Sequence, residues 1–82
     1  MTMHLKILLF GITKDIFGGQ THQVELDQGA TVKMLKEHLI KERPEVEGLT
    51  SLLIAVNNTY AKEDDLLSEQ DEIALIPPVS GG

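Results

Sequence analysis

Within 82 residues, one stretch alone carries clear helical periodicity, TVKMLKEHLIKER at 31–43. Val32, Leu35, Leu39 and Ile40 recur at i, i+3, i+7 and i+8, which places them on one apolar stripe. Thr31 stands where an N-cap hydroxyl is wanted. Lys41 and Arg43 lie where the helix dipole favours cations. Pro44 disfavours helical geometry at Arg43 and sets the end. A chain with one amphipathic helix has one stripe to bury, and the remainder of its core must come from strands.

Strand-like runs surround that helix. HLKILLF (4–10) is apolar and β-prone, and THQVELD (21–27) alternates, with His22, Val24 and Leu26 on one face. The intervening GITKDIFGGQ reads as a turn, which makes the pair a hairpin with a long loop. After the helix come a connector (EVEGLTS), a strand at 52–57, a turn at Asn57-Asn58 and a short return strand at 59–61. An acidic loop, KEDDLLSEQDE, follows with Leu66-Leu67 as its apolar anchor, and the last strand is EIALIP at 72–77. One helix covers one face of a sheet, so the expected architecture is two-layer α+β. This order fits a β-grasp: a mixed sheet of about five strands on one main helix, with the first and last strands parallel in the middle. The domain is expected at 1–76 and an extended tail at 77–82.

The uncovered face has a pattern of its own. Lys6 and Glu72 mark the outward parity of the first and last strands, which turns Leu8, Phe10, Ala74 and Ile76 outward too. With Tyr60 they predict an apolar docking patch beside the tail. Charge is divided along the chain. Residues 1–43 hold six Lys+Arg against five Asp+Glu, and residues 44–82 hold one against eight. The net charge of −6 argues against nucleic acid, and the acidic half suits a basic partner.

Side chains that could carry catalysis are scarce. There is no Cys. His4, His22 and His38 lie on three separate elements without metal-ligand spacing. Glu63, Asp64, Asp65, Glu69 and Asp71 lack the glycine and closing glutamate of a calcium loop. Gly18-Gly19 lacks the Lys-Ser/Thr of a phosphate loop, and Ser80 lacks a nucleophile elbow. The chain is expected to bind no metal or cofactor and to be no enzyme by itself. The run at 7–10 is too short for a secretory signal, and no apolar stretch approaches the roughly 20 residues of a membrane span. A cytoplasmic location without a membrane partner is expected.

What remains is PPVSGG at 77–82. Pro77 and Pro78 fix their own φ and hold the preceding residues extended. Val79 offers one apolar anchor. Ser80, Gly81 and Gly82 are small enough to enter a narrow channel, and the Gly82 carboxylate is unhindered. Adenylation by ATP would make that carboxylate an acyl donor.

KILLFG with TKDIFG, TVKMLKEHL, LLIAVNNTY and LSEQDEIALIPPVSGG together resemble the small-subunit family of molybdopterin synthase, sulfur carriers of the ubiquitin-like β-grasp group. Mild departures are Gln70 in place of a turn glycine, Lys14-Asp15 in the first loop, and Leu75-Ile76 where aromatics are common. The resemblance implies that a ubiquitin-activating-type enzyme adenylates Gly82 and that a sulfur donor makes the thiocarboxylate. The tail, Gly81 included, then delivers sulfur to a cyclic pterin in the large synthase subunit, within a heterotetramer. Phe10, Tyr60, Ile76, Pro77, Pro78, Val79 and Ser80 would meet the partner. A thiamine-pathway sulfur carrier and a protein modifier conjugated through Gly82 are the alternatives.

Overall fold

The computed structural model describes residues 1–48 and 52–77. Its elements are β1 (Thr2–Leu9), α1 (Ile12–Phe17), β2 (Thr21–Asp27), α2 (Val32–Glu42), a 3-10 turn (Pro44–Gly48), β3 (Leu53–Val56), β4 (Thr59–Tyr60) and β5 (Ile73–Ile76). The sheet order is β2-β1-β5-β3-β4. β1 and β5 run parallel at its centre, with Ile7, Leu8 and Leu9 opposite Ile73, Ala74 and Leu75. The other pairs are antiparallel. This is the β-grasp arrangement, a five-stranded mixed sheet on one main helix.

Alternation along β1 sorts its side chains. Met3, Leu5, Ile7 and Leu9 are buried, while Thr2, His4 and Lys6 are exposed and Leu8 is half-buried. β5 repeats the pattern, with Ile73 and Leu75 buried and Ala74 and Ile76 half-buried. The inward set meets Val32, Leu35 and Leu39 of α2, together with Val24, Ile54 and Leu67, in one core. The helix stripe thus faces the sheet, with Ile40 at its margin.

The first-turn N–H groups of α2, which have no partner within a helix, find partners in two places. Met34 donates to the Thr31 hydroxyl at 3.4 Å, while Val32 and Lys33 donate to the carbonyls of Asp65 and Glu63. The acidic loop therefore caps the helix with its backbone. Its carboxylates also close local turns: Asp65 accepts from Lys62 N–H and Asp71 from Ser68 N–H. Glu69 accepts from His4 N–H at 2.7 Å and ties the loop to β1.

Three sequence expectations change. The stretch expected as a turn contains α1, a short helix closed by Gly18 in the left-handed region, with Gly18 and Gly19 N–H both donating to the Lys14 carbonyl. The connector forms a 3-10 turn that buries Val46. Of the expected anchor pair only Leu67 is buried, and Leu66 is 70% exposed. Its backbone bridges to Thr31, and adjacent residues of an extended segment point to opposite sides.

Candidate functional site

The sheet face opposite α2 carries a groove of about 370 Å³, lined by Leu8, Phe10, Ala55, Asn58, Tyr60, Glu72, Ala74 and Ile76. Strand register explains its shape. Leu8 pairs with Ala74, Ala74 with Ala55, and Ala55 with Tyr60, which makes one row across four strands. Two alanines form the floor, and larger side chains stand at either end. Phe10 and Tyr60 remain 46% and 64% exposed. Such a concave apolar strip is a place for another surface to settle. Leu8 and Glu72 also border a second depression with Lys6, Glu69, Gln70 and Asp71, so the groove runs into a rim of three carboxylates and one lysine, acidic on balance.

Of the residues singled out from sequence, Phe10, Tyr60 and Ile76 come together in this groove. Pro77 follows β5 directly and is half-buried, its ring against Gly11. Pro78, Val79, Ser80, Gly81 and Gly82 lie outside the described residues. Sequence reasoning missed Asn58, Ala55 and Leu53. Leu53 pairs with Ile76 and is 42% exposed, and its parity opposite the buried Ile54 was the available signal. It also missed Gly11.

The Asn57-Asn58 turn closes the β3–β4 edge of the groove. Both residues have positive φ, 54° and 69°, the signature of a two-residue type I′ hairpin. Asn57 is tied down further. Its Nδ2 donates to Asp71 and its Oδ1 accepts from Glu72 N–H.

The histidines are arranged differently from their sequence spacing. His22 on β2 and His38 on α2 both face Glu42 Oε1, at 3.0 and 3.2 Å, and the His22 ring lies 4.6 Å from that of Phe17. Among the described residues no group of three such side chains is placed to hold a metal ion. None of their helices is long and apolar enough to cross a membrane.

Residues 7–82 match the model of the ThiS family. The chain belongs to the ThiS family. Its ubiquitin-like fold agrees. The molybdopterin synthase sulfur carrier subunit of Chlamydomonas reinhardtii is 31% identical to this ThiS-family chain, with 98% of this chain and 100% of that relative covered. The small archaeal modifier protein 1 of Haloferax volcanii superposes with a TM-score of 0.81 at 26% identity, covering 94% of this chain and 99% of the other. The Helicobacter pylori protein–protein complex of subunits 1 and 2 of molybdopterin-converting factor contains a chain of the same fold. Its TM-score is 0.64 at 22% identity, over 98% and 100% of the two chains.

Proposed function

We propose that this chain is the sulfur carrier of molybdopterin synthase, with the Gly82 carboxylate as its reactive group. The observation that carries the reading is the exit of β5. The central strand β5 ends at Ile76 and passes into Pro77 beside an apolar groove with an acidic rim, and Gly81 and Gly82 close the sequence that follows. Family membership and the sulfur carrier relatives support it.

The reactive carboxylate cannot expel oxide, so it must first be activated. A carboxylate oxygen of Gly82 attacks the α-phosphorus of ATP on a ubiquitin-activating-type enzyme, and pyrophosphate leaves. A sulfur nucleophile from a donor protein then attacks the acyl carbon, and AMP leaves with its electron pair. When that nucleophile is the outer sulfur of a donor persulfide, the product is an acyl disulfide; a thiolate then attacks the donor's inner sulfur, a new disulfide forms on the donor, and the S–S bond breaks to leave the Gly82 thiocarboxylate. The chain itself holds no cofactor in this scheme, since ATP belongs to the activating enzyme. Phe10, Tyr60 and Ile76 dock the large synthase subunit. Pro77, Pro78, Val79 and Ser80 carry Gly81 and Gly82 into it, and the sulfur passes to a cyclic pterin. The Helicobacter pylori complex of subunits 1 and 2 supports a partner of this kind and a paired assembly. Residues 1–76 are the body in this reading and 77–82 the arm.

Intact-mass analysis tests the scheme. The protein is incubated with an adenylating enzyme of this class, ATP and a sulfur source. The expected product is heavier by the exchange of one oxygen for sulfur, located in the last peptide. An unchanged mass with an enzyme proven on another carrier would sink the reading. The likeness to the Haloferax volcanii modifier protein favours a second role, conjugation of Gly82 to lysines. Diglycine remnants on cellular lysines, lost on deletion of Gly82, would establish it.

A further inference from the structure

Gly11 differs from the other described glycines with positive φ. Its φ is 58° and its ψ −135°, a region that residues with a Cβ rarely enter. A Cβ there would also stand 2.9 Å from Pro77 Cγ, whereas Gly18 and Gly29 have nothing within 4 Å of that position. The parallel pairing of β1 and β5 makes the meeting inevitable. Leu9 lies opposite Leu75, so both strands leave the sheet side by side, one into Gly11 and the other into Pro77.

The corner at Gly11 is clamped from behind. Thr13 is fully buried and is the one buried polar side chain among the described residues. Its hydroxyl accepts from Phe10 N–H at 2.9 Å and donates to the Phe10 carbonyl at 2.5 Å. Thr13 N–H also donates to the Phe10 carbonyl, and Lys14 N–H to the Gly11 carbonyl. A valine of the same shape would bury equally well, so the hydroxyl serves the backbone of this corner and not the core.

We propose that Phe10–Thr13 is a positioning device for the reactive tail: Gly11 is the seat for the Pro77 ring, and Thr13 is the latch that holds the seat. Proline fixes the chain's direction only relative to its own peptide. Contact with Gly11 fixes it relative to the body, and therefore relative to the docking groove that Phe10 borders. Gly11 and Thr13 are positioning residues in this scheme, acting on the arm through Pro77. The inference rests on the carrier reading and extends it to the aim of the arm.

The test is a double-mutant cycle on thiocarboxylate formation, followed by intact mass as the concentration of carrier is varied. With ordinary contact beginning at 3.4 Å, Gly11→Ala pushes the ring back by about 0.5 Å. A 1 Å misplacement can cost about 100-fold in rate, so half of that is expected to cost on the order of 10-fold. The loss is expected in kcat with KM little changed, because the substitution leaves the exposed surface of the body unaltered and moves only the exit of the arm. Pro77→Ala removes the ring that the new Cβ displaces, so Gly11→Ala is expected to do far less harm in that background. Backbone strain at residue 11 is common to both backgrounds and cancels in the cycle. Equal losses in both backgrounds, or no loss in kcat, overturn the seat. If Gly11→Ala does not fold, Thr13→Val and Thr13→Ser decide instead. A lowered kcat for Val with normal behaviour for Ser supports the latch, and any other pattern overturns it. Failure of the unaltered protein to load at all would overturn the carrier reading, and the seat's role with it.

Discussion

Leu75 and Ile76 are neighbours on β5 that face opposite ways, and replacing each by alanine should separate folding from docking. Leu75 is fully buried, opposite Leu9 on one side and Ile54 on the other. Truncating such a leucine costs about 2–5 kcal/mol, the methyl groups' transfer energy plus the cavity left behind. A domain of this length holds about 4–12 kcal/mol in total, so Leu75→Ala removes a large share. At about 3 kcal/mol the expected fall in Tm is about 12–24 °C. Ile76 is half-buried on the groove face. Its truncation exposes less and leaves no closed cavity, for a loss of about 1 kcal/mol. At the centre of an interface the same truncation costs about 1–2 kcal/mol of binding, roughly 5- to 30-fold in Kd. Urea unfolding followed by circular dichroism gives the first quantity. Calorimetric titration with the large synthase subunit gives the second. If Ile76→Ala unfolds as readily as Leu75→Ala yet binds like the unaltered protein, the assignment of faces is wrong.

Four further outcomes follow from named contacts. Deleting Gly81-Gly82 should abolish sulfur loading by intact mass while leaving the urea midpoint nearly unchanged. Thr31→Ala removes the hydroxyl that accepts from Met34 N–H and should cost about 1 kcal/mol in urea unfolding. Asn57→Gly loses the bonds to Asp71 and Glu72 and should destabilise by about 1–2 kcal/mol, whereas Asn58→Gly, which relieves a positive φ with no comparable bond to lose, should be neutral or mildly stabilising. Association with a basic partner should slow as salt rises from low to physiological ionic strength, because an acidic rim steers encounters through screened charge; a stopped-flow on-rate that ignores salt would count against electrostatic steering.

The face assignment was legible because charged residues mark parity. Lys6 and Glu72 identify the outward rows of β1 and β5, and the groove follows from counting by two. α1 was not legible for a physical reason. ITKDIF is short, opens with β-branched residues and has no side-chain cap, so nothing local favours a helix over a turn. Its support is tertiary: Thr13 is buried, Arg43 Nε donates to the Ile16 carbonyl, and Phe17 packs on His22. Leu66 and Leu67 look equivalent in a string, and only the bridge to Thr31 separates them. The acidic loop read only as a charged run with a leucine anchor, yet its carbonyls complete α2. Backbone partners of this kind leave no trace in side-chain identity. Gly11 was unreadable for the same reason, since its meaning lies in a proline that is remote in sequence and adjacent in space.

The parallel pairing of Ile7 with Ile73 joins β1 to a strand more than sixty residues later in the chain. Contacts so distant in sequence form late in folding, and here they sit at the middle of the sheet. A chain cut short before β5 would lack that middle and expose the core face of β1 on one side and β3 on the other. The segment that leads into the terminal arm is therefore also the one that joins the two halves of the sheet, β2-β1 and β3-β4, so folding of the body and delivery of the arm depend on the same four residues.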